Sequence, residues 1–351
     1  MPFYTPLRYP GGKRRIAPLV ARLIIQNRLT DIDYAEAYAG GAAVALHLLF
    51  NELAATVHIN DLSRPVFAFW HTVLNHNADL CQRVRGVRLS MAEWRRQRAV
   101  YDARDTADLA DLGFAALFLN RTNRSGIING GVIGGKQQTG EWGLDARFTK
   151  DELIARIRRV GRYKTRIALH QLDAAVFIRT IVSTLGARSF TLYDPPYIEN
   201  SEDLYLNTYD VDGHRALAQT ITATDRPWIV TYDLAAIREN LYPAHRRMVY
   251  GLSYSAQDRY RAREVMFFSE RVTLPDDWQP RKRLLLSPPE ARHRVYGRIE
   301  NVKQHPEVEE GPAAFERFRR AVRTIISVPK PTVARREKTR TKKKKAATRK
   351  G

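Results

Sequence analysis

Tyr34-Ala35-Glu36-Ala37-Tyr38-Ala39-Gly40-Gly41-Ala42-Ala43 and, shortly after it, Thr56-Val57-His58-Ile59-Asn60-Asp61 decide how this chain folds. Asp31 to Tyr38 reads as a short strand. Gly40 and Gly41 then make a turn, and Ala43 opens an Ala- and Leu-rich helix that runs to about Leu53. Thr56 to Asp61 is a second strand that ends in an acid. A strand, a glycine turn, a helix and a strand with a terminal carboxylate form one mononucleotide-binding half of a doubly wound α/β sheet.

Upstream, Tyr9-Pro10-Gly11-Gly12-Lys13 makes a tight turn, and Ile16, Leu19, Val20, Leu23 and Ile24 recur at helical spacing behind it. Downstream, the pattern from Ser63 to about Lys164 is helical and rich in arginine. It contains Asn120-Arg121-Thr122-Asn123-Arg124, Asn129-Gly130-Gly131 and Lys136, which read as hairpin turns. Strand and helix alternate again from Arg166 to Leu172, with Asp173 at that strand's end. Phe190-Thr191-Leu192-Tyr193 reads as a buried strand stopped by Asp194-Pro195-Pro196-Tyr197, because neither proline has an N–H for a ladder. A carboxylate, two fixed carbonyls and an aromatic ring are thereby delivered at a strand's carboxyl end, where open α/β sheets bind ligands. Helix 212–224, strand 227–232 and two closing strands, 247–252 and 264–268, complete the sheet. The polar, basic segment Ser253 to Arg263 is expected as a loop.

The formal net charge is +21, and residues 335–351 hold ten Lys/Arg against one Glu. The body stays basic without this tail, so an acidic partner is expected, with nucleic acid ahead of an anionic membrane. One cysteine, Cys81, excludes a disulfide framework and a cysteine-based metal site, and no metal is expected. No signal peptide and no membrane-spanning run is apparent, which suits a cytoplasmic protein.

Taken in order, Tyr9 to Lys13, Tyr34 to Ala42, Asn60-Asp61, Asn120 to Gly131 and Asp194 to Tyr197 resemble the Dam-like, S-adenosylmethionine-dependent DNA adenine-N6 methyltransferases over about residues 5–270. The chain departs from the family pattern in Tyr9 for the usual Trp, and in Ala37, Tyr38 and Ala42 for the usual Pro, Phe and Gly. The resemblance implies a seven-stranded, mostly parallel sheet with an inserted target-recognition domain. Its parts would be a cofactor-binding first portion (1–64), the insertion (65–165), a catalytic second portion (166–274) and a basic extension (275–351). The extension would hold one helix near Ala313 to Ile326 and a disordered tail from about residue 328. The implied activity is site-specific methylation of duplex DNA in a prokaryote or phage, near the nucleoid. A cognate restriction endonuclease is compatible with this but not required. Cytosine-N4 or RNA amino-methylation, and an inactive nucleic-acid binder, are the alternatives.

On that resemblance, S-adenosylmethionine would be held by Tyr9, Lys13, Glu36, Tyr38, Gly40, Gly41, Asp61, Asp173 and Asp194. Tyr9 or Tyr38 would face the sulfonium, or else pack in the core. Lys13 would pair with a carboxylate, or else sit at the surface. Asp61 would accept from ribose hydroxyls, or else cap a helix. Asp194 and the Pro195 carbonyl would take the two amino hydrogens of adenine, and Tyr197 would stack on the flipped base. Asn120, Arg121, Asn123, Arg124, Asn129, Lys136, Arg259, Arg261 and Arg263 are the DNA candidates, through bases or phosphates.

Overall fold

The computed structural model describes residues 3–9, 13–198, 209–255 and 259–275, with the backbone alone for residues 252–262. Seven strands form one sheet: β1 (Ile32–Glu36), β2 (Ala54–Asn60), β3 (Ile167–His170), β4 (Ser189–Tyr193), β5 (Trp228–Asp233), β6 (Arg246–Ser255) and β7 (Arg259–Phe268). Their order is β3-β2-β1-β4-β5-β7-β6. β1 to β5 are mutually parallel, and β7 runs antiparallel to both of its neighbours. The strand order reverses between β1 and β4, the switch point beyond whose carboxyl ends such sheets form their binding crevice.

The central strands are buried almost throughout because both faces are covered. Alternate residues feed two cores. Tyr34, Val57, Phe190, Leu192 and Ile229 join one, with helices α1 (Ala17–Gln26) and α2 (Ala43–Phe50). Ala35, Tyr193, Trp228, Val230 and Tyr232 join the other, with α8 (Ala174–Thr180) and α9 (Val211–Thr222).

Five helices lie between β2 and β3: α3 (Arg64–Asn75), α4 (Asn77–Gly86), α5 (Met91–Asp102), α6 (Leu109–Thr122) and α7 (Lys150–Arg162). Their starts are written locally. Ser90 accepts from the Glu93 amide, and Asp108 accepts from the Ala110 and Asp111 amides. Phe69 and Trp70 of α3 and Phe118 of α6 belong to the same core cluster as Tyr34 and Val57. The inserted helices therefore extend the core on one face of the sheet.

Two expectations change. The hairpin around residues 120–136 is instead the last turn of α6 followed by an irregular loop. Leu117, Phe118 and Leu119 continue the helix's buried stripe, and the loop has a single antiparallel bridge, Asn123 with Val132. Conversely, the segment expected as a loop between the closing strands is mostly strand, because β6 and β7 stay in register out to Ser255 and Arg259. Cross-strand pairing supplies that ladder whatever the polarity of the side chains. The expected helix at 313–326 and the basic tail lie outside the described residues.

Candidate active site

The end of β4 puts Asp194 at the centre of a polar network. Thr231 of β5 donates to Asp194 Oδ1 at 2.7 Å, and Lys13 Nζ lies 3.0 Å from the same oxygen. Lys13 also lies 3.4 Å from Glu264 Oε2 of β7 and donates to the Tyr197 hydroxyl at 2.6 Å. Tyr250 of β6 donates to Glu264 Oε2 at 2.7 Å. The Lys13 and Glu264 side chains are 5% and 1% exposed, whereas that of Asp194 is 20% exposed. Asp194 is thus the charged member of the network that a ligand can reach. Burial pulls the Lys13 ammonium down, but Asp194 and Glu264 outweigh it and hold its pKa above the ordinary value. Burial pushes the Asp194 carboxyl up and Glu264 adds to that, while Lys13 and Thr231 draw it back.

The glycine turn sits beside this network, since Glu36 of β1 pairs with Leu192 of β4, two residues before Asp194. Gly40 has φ +46°, and a Cβ there would lie 2.7 Å from the Tyr9 ring, so glycine is required twice over. Its peptide is fixed from both sides: the N–H donates to Asp61 Oδ2 at 2.8 Å and the carbonyl accepts from Trp70 Nε1 at 2.8 Å. Asp61 Oδ1 accepts from the Ser63 amide at 3.0 Å, and burial pushes this carboxyl up to about 6. Ala42 adopts φ +47°, which explains why the Dam-like pattern carries glycine at this place.

Glu36, 4% exposed, accepts from the Ala45 amide at 2.8 Å and from the Tyr34 hydroxyl at 3.1 Å through Oε1. Burial pushes its carboxyl up to about 8. Tyr38 donates to the Tyr209 hydroxyl at 3.2 Å. Asp173 caps α8, accepting from the Ala175 and Val176 amides.

A sequence profile of the D12 class N6 adenine-specific DNA methyltransferases matches residues 9–242. The chain belongs to that family. The match spans the Tyr9 turn, the glycine turn, Asp61, the inserted helices, and Asp194 to Tyr197. No curated relative matches the chain. Among solved structures, a candidate RNA methyltransferase from Pyrococcus horikoshii is 10% identical, covers 75% of this chain and 86% of its own, and has a TM-score of 0.37. The rRNA methyltransferase of Streptomyces viridochromogenes is 11% identical, covers 74% and 86%, and has a TM-score of 0.31. At such scores neither likeness bears on the substrate.

As a member of this family the D12 chain uses S-adenosylmethionine as methyl donor. The residues present fit it. A glycine turn with no room for a Cβ lies at the switch point, an aromatic ring lies against it, and Glu36, Asp61 and Asp194 stand around it with their carboxyls raised by burial.

The DNA candidates divide by burial. Asn120 and Asn123 are fully buried, and their amides are committed to the fold. Asn120 binds the Arg8 peptide at both ends and the Gly126 carbonyl; Asn123 accepts from Trp94 Nε1 and donates to the Ile127 and Ile128 carbonyls. These asparagines shape the loop and present no free edge to a groove, a correction the helical stripe could have signalled. Arg121 is 7% exposed. Arg124, Asn129 and Lys136 are exposed, with the Asn129 side chain accepting from Arg98 at 2.7 Å. Arg259 and Arg261 have their backbones in β7, and their side chains lie outside the described residues, while Arg263 is exposed. Sequence reasoning missed Thr231, Tyr250 and Glu264, because only the sheet brings them beside Lys13 and Asp194.

Proposed function

We propose that this methyltransferase transfers a methyl group to N6 of adenine in duplex DNA at a specific sequence. The observation that carries the proposal is the reachable Asp194 carboxylate, held at the carboxyl edge of the sheet by Thr231 and Lys13 and followed by two prolines. Adenine N6 is a poor nucleophile, because its lone pair is conjugated into the ring. Asp194 would accept one amino hydrogen and the Pro195 carbonyl the other. That geometry aims the lone pair away from the ring plane and stabilises the positive charge developing on nitrogen. Thr231 and Lys13 both meet Asp194 at Oδ1 and steady the carboxylate through that oxygen.

The bound donor supplies an activated methyl on a sulfonium. Gly40, Gly41, Asp61, Glu36, Tyr9 and Tyr38 would hold it against Asp194. Tyr197, already fixed through its hydroxyl by Lys13, would stack on an adenine rotated out of the duplex, since the amino group cannot be reached inside the helix. Asp173 remains a candidate at the cofactor's adenine through the carboxylate oxygen that does not cap α8.

The test is transfer of labelled methyl groups to matched substrates: an adenine-containing duplex, an adenine-free duplex and an RNA of the same sequence. Label is expected in the first alone. Asp194→Ala is expected to lower the rate by at least about a hundredfold, the scale of losing one fixed transition-state partner, with duplex binding retained. Methylation of RNA or of the adenine-free duplex would overturn the substrate assignment. An active Asp194→Ala enzyme would remove Asp194 from the chemistry.

A further inference from the structure

Arg121 is out of place for a cation. It lies at the end of α6, 7% exposed, with its Nε fully buried and unpartnered, and no hydrogen bond or ion pair among the described residues ends on its guanidinium. Arg8 lies beside it, because Asn120 binds the Arg8 amide at 2.8 Å and the Arg8 carbonyl at 2.7 Å. Arg8 Nη1 is likewise buried without a hydrogen-bond partner among the described residues. Arg147, exposed, and Arg156, half-buried, add their charges to the same place. The acid facing this group is Glu152, and it pairs with Arg156 at 2.8 Å while 59% exposed. The group therefore carries an excess of positive charge that no described carboxylate neutralises, and the mutual repulsion pulls Arg121 down to about 10 after burial has done most of it.

Burying an unpaired charge is costly, so a guanidinium left this way is expected to have an external counter-charge. Guanidinium forks match phosphate oxygens in pairs. The methyl donor carries no phosphate, and its one anionic group is a carboxylate. A large polyanion can approach from the side where Arg147 is exposed. Arg8 immediately precedes Tyr9, whose ring packs on the glycine turn, so the cluster flanks the same crevice as Asp194. We infer that Arg8, Arg121 and Arg147 form a clamp for one backbone phosphodiester of the duplex, anchoring the strand beside the active site. This inference rests on the DNA reading above and adds a site to it.

The test uses the full chain and two variants, Arg121→Met and the exposed Arg147→Ala. Sodium sulfate, compared with sodium chloride at equal ionic strength, is expected to raise the melting temperature of the wild type and to lose that effect in Arg121→Met. Without anion, Arg121→Met is expected to melt no lower than the wild type, because it removes a charge that no described carboxylate neutralises. Both variants are expected to bind all duplex sequences more weakly, with the slope of log affinity against log salt flattened by about one, and with target preference unchanged. A lower melting temperature for Arg121→Met, with duplex affinity and salt slope intact in both variants, would make Arg121 a structural residue and overturn the clamp. Sulfate protection with an unchanged salt slope would overturn the phosphodiester as occupant and leave a free-anion site. The two readings also separate. Wild-type methylation of adenine DNA without any sulfate response removes the clamp alone, whereas a sulfate response with no DNA methylation removes the DNA reading and, with it, the occupant.

Discussion

At the scale of single residues, the site is built from carboxyls that the fold makes uncomfortable. Glu36 shows it most clearly. Its pKa is raised from 4.5 to about 8, with burial the first cause and Asp194 adding to it, while the Ala45 amide and the Tyr34 hydroxyl oppose the shift. The folded state therefore binds a proton at Glu36 that the unfolded chain has already released. Stability from this group is whole below about pH 4.5 and is lost as pH rises toward 8, with a slope of at most about 1.4 kcal/mol per pH unit. Glu36→Gln keeps an acceptor oxygen for Ala45 and Tyr34 but cannot ionise. The variant is expected to melt with the wild type near pH 5 and above it at pH 8.5, as thermal denaturation across that range would show. Equal melting temperatures at pH 8.5 would mean that Glu36 is ionised in the fold at no cost. The sequence announced Glu36, Gly40, Asp61 and Asp194 because each stands at a strand end or in a turn, where residue type reflects backbone need or ligand chemistry. It could not announce Glu264 or Thr231, which become neighbours of Asp194 only through strand pairing.

At the scale of elements, helices with periodic burial and strands with continuous apolar burial are legible. The runs Phe190 to Tyr193 and Trp228 to Tyr232 are strands because both faces are covered, and they lie where the apolar runs place them. The region 120–136 misled because Asn-Gly and Gly-Gly signal turns without saying what precedes them. Here α6 uses Asn120 and Arg121 to finish a buried helix, and Gly126 (φ +78°) then turns the chain against Arg8. The crossing of α3 and α6 depends on a position that sequence reading passes over. A Cβ at Gly113 would lie 2.2 Å from Thr72 Oγ1 and 2.5 Å from the Ala68 carbonyl, so the two helices touch backbone to backbone there. Thr72 also donates to the Ala68 carbonyl at 2.7 Å and has no room to retreat. Gly113→Ala gains helix propensity of about 1 kcal/mol, but overpacking at a rigid crossing costs typically about 1–3 kcal/mol. The clash is expected to win, giving net destabilisation in chemical denaturation. A net stabilisation would show that α3 and α6 separate easily.

At the scale of the whole molecule, the proposed DNA reading divides the work of holding the duplex between charge and fold. The sheet, the inserted helices and their shared core fix where Asp194, the glycine turn and the arginine cluster stand. The net charge of +21 acts over a longer range and without direction. Ten Lys/Arg in residues 335–351 contribute much of that charge, with one Glu against them. Contacts of this kind release counterions from the duplex, so they add affinity that falls steeply with salt and carries no sequence information. Removing residues 335–351 is therefore expected to weaken binding to every duplex by a similar factor and to flatten its salt dependence, while the methylated sequence and the maximal rate at saturating DNA stay the same. The measurement is binding of cognate and scrambled duplexes across a salt series, alongside mapping of methylated adenines. A changed methylation target would mean that the tail reads bases. A salt slope unchanged by its loss would mean that the folded body alone neutralises the phosphates, with the clamp at Arg121 as its deepest contact.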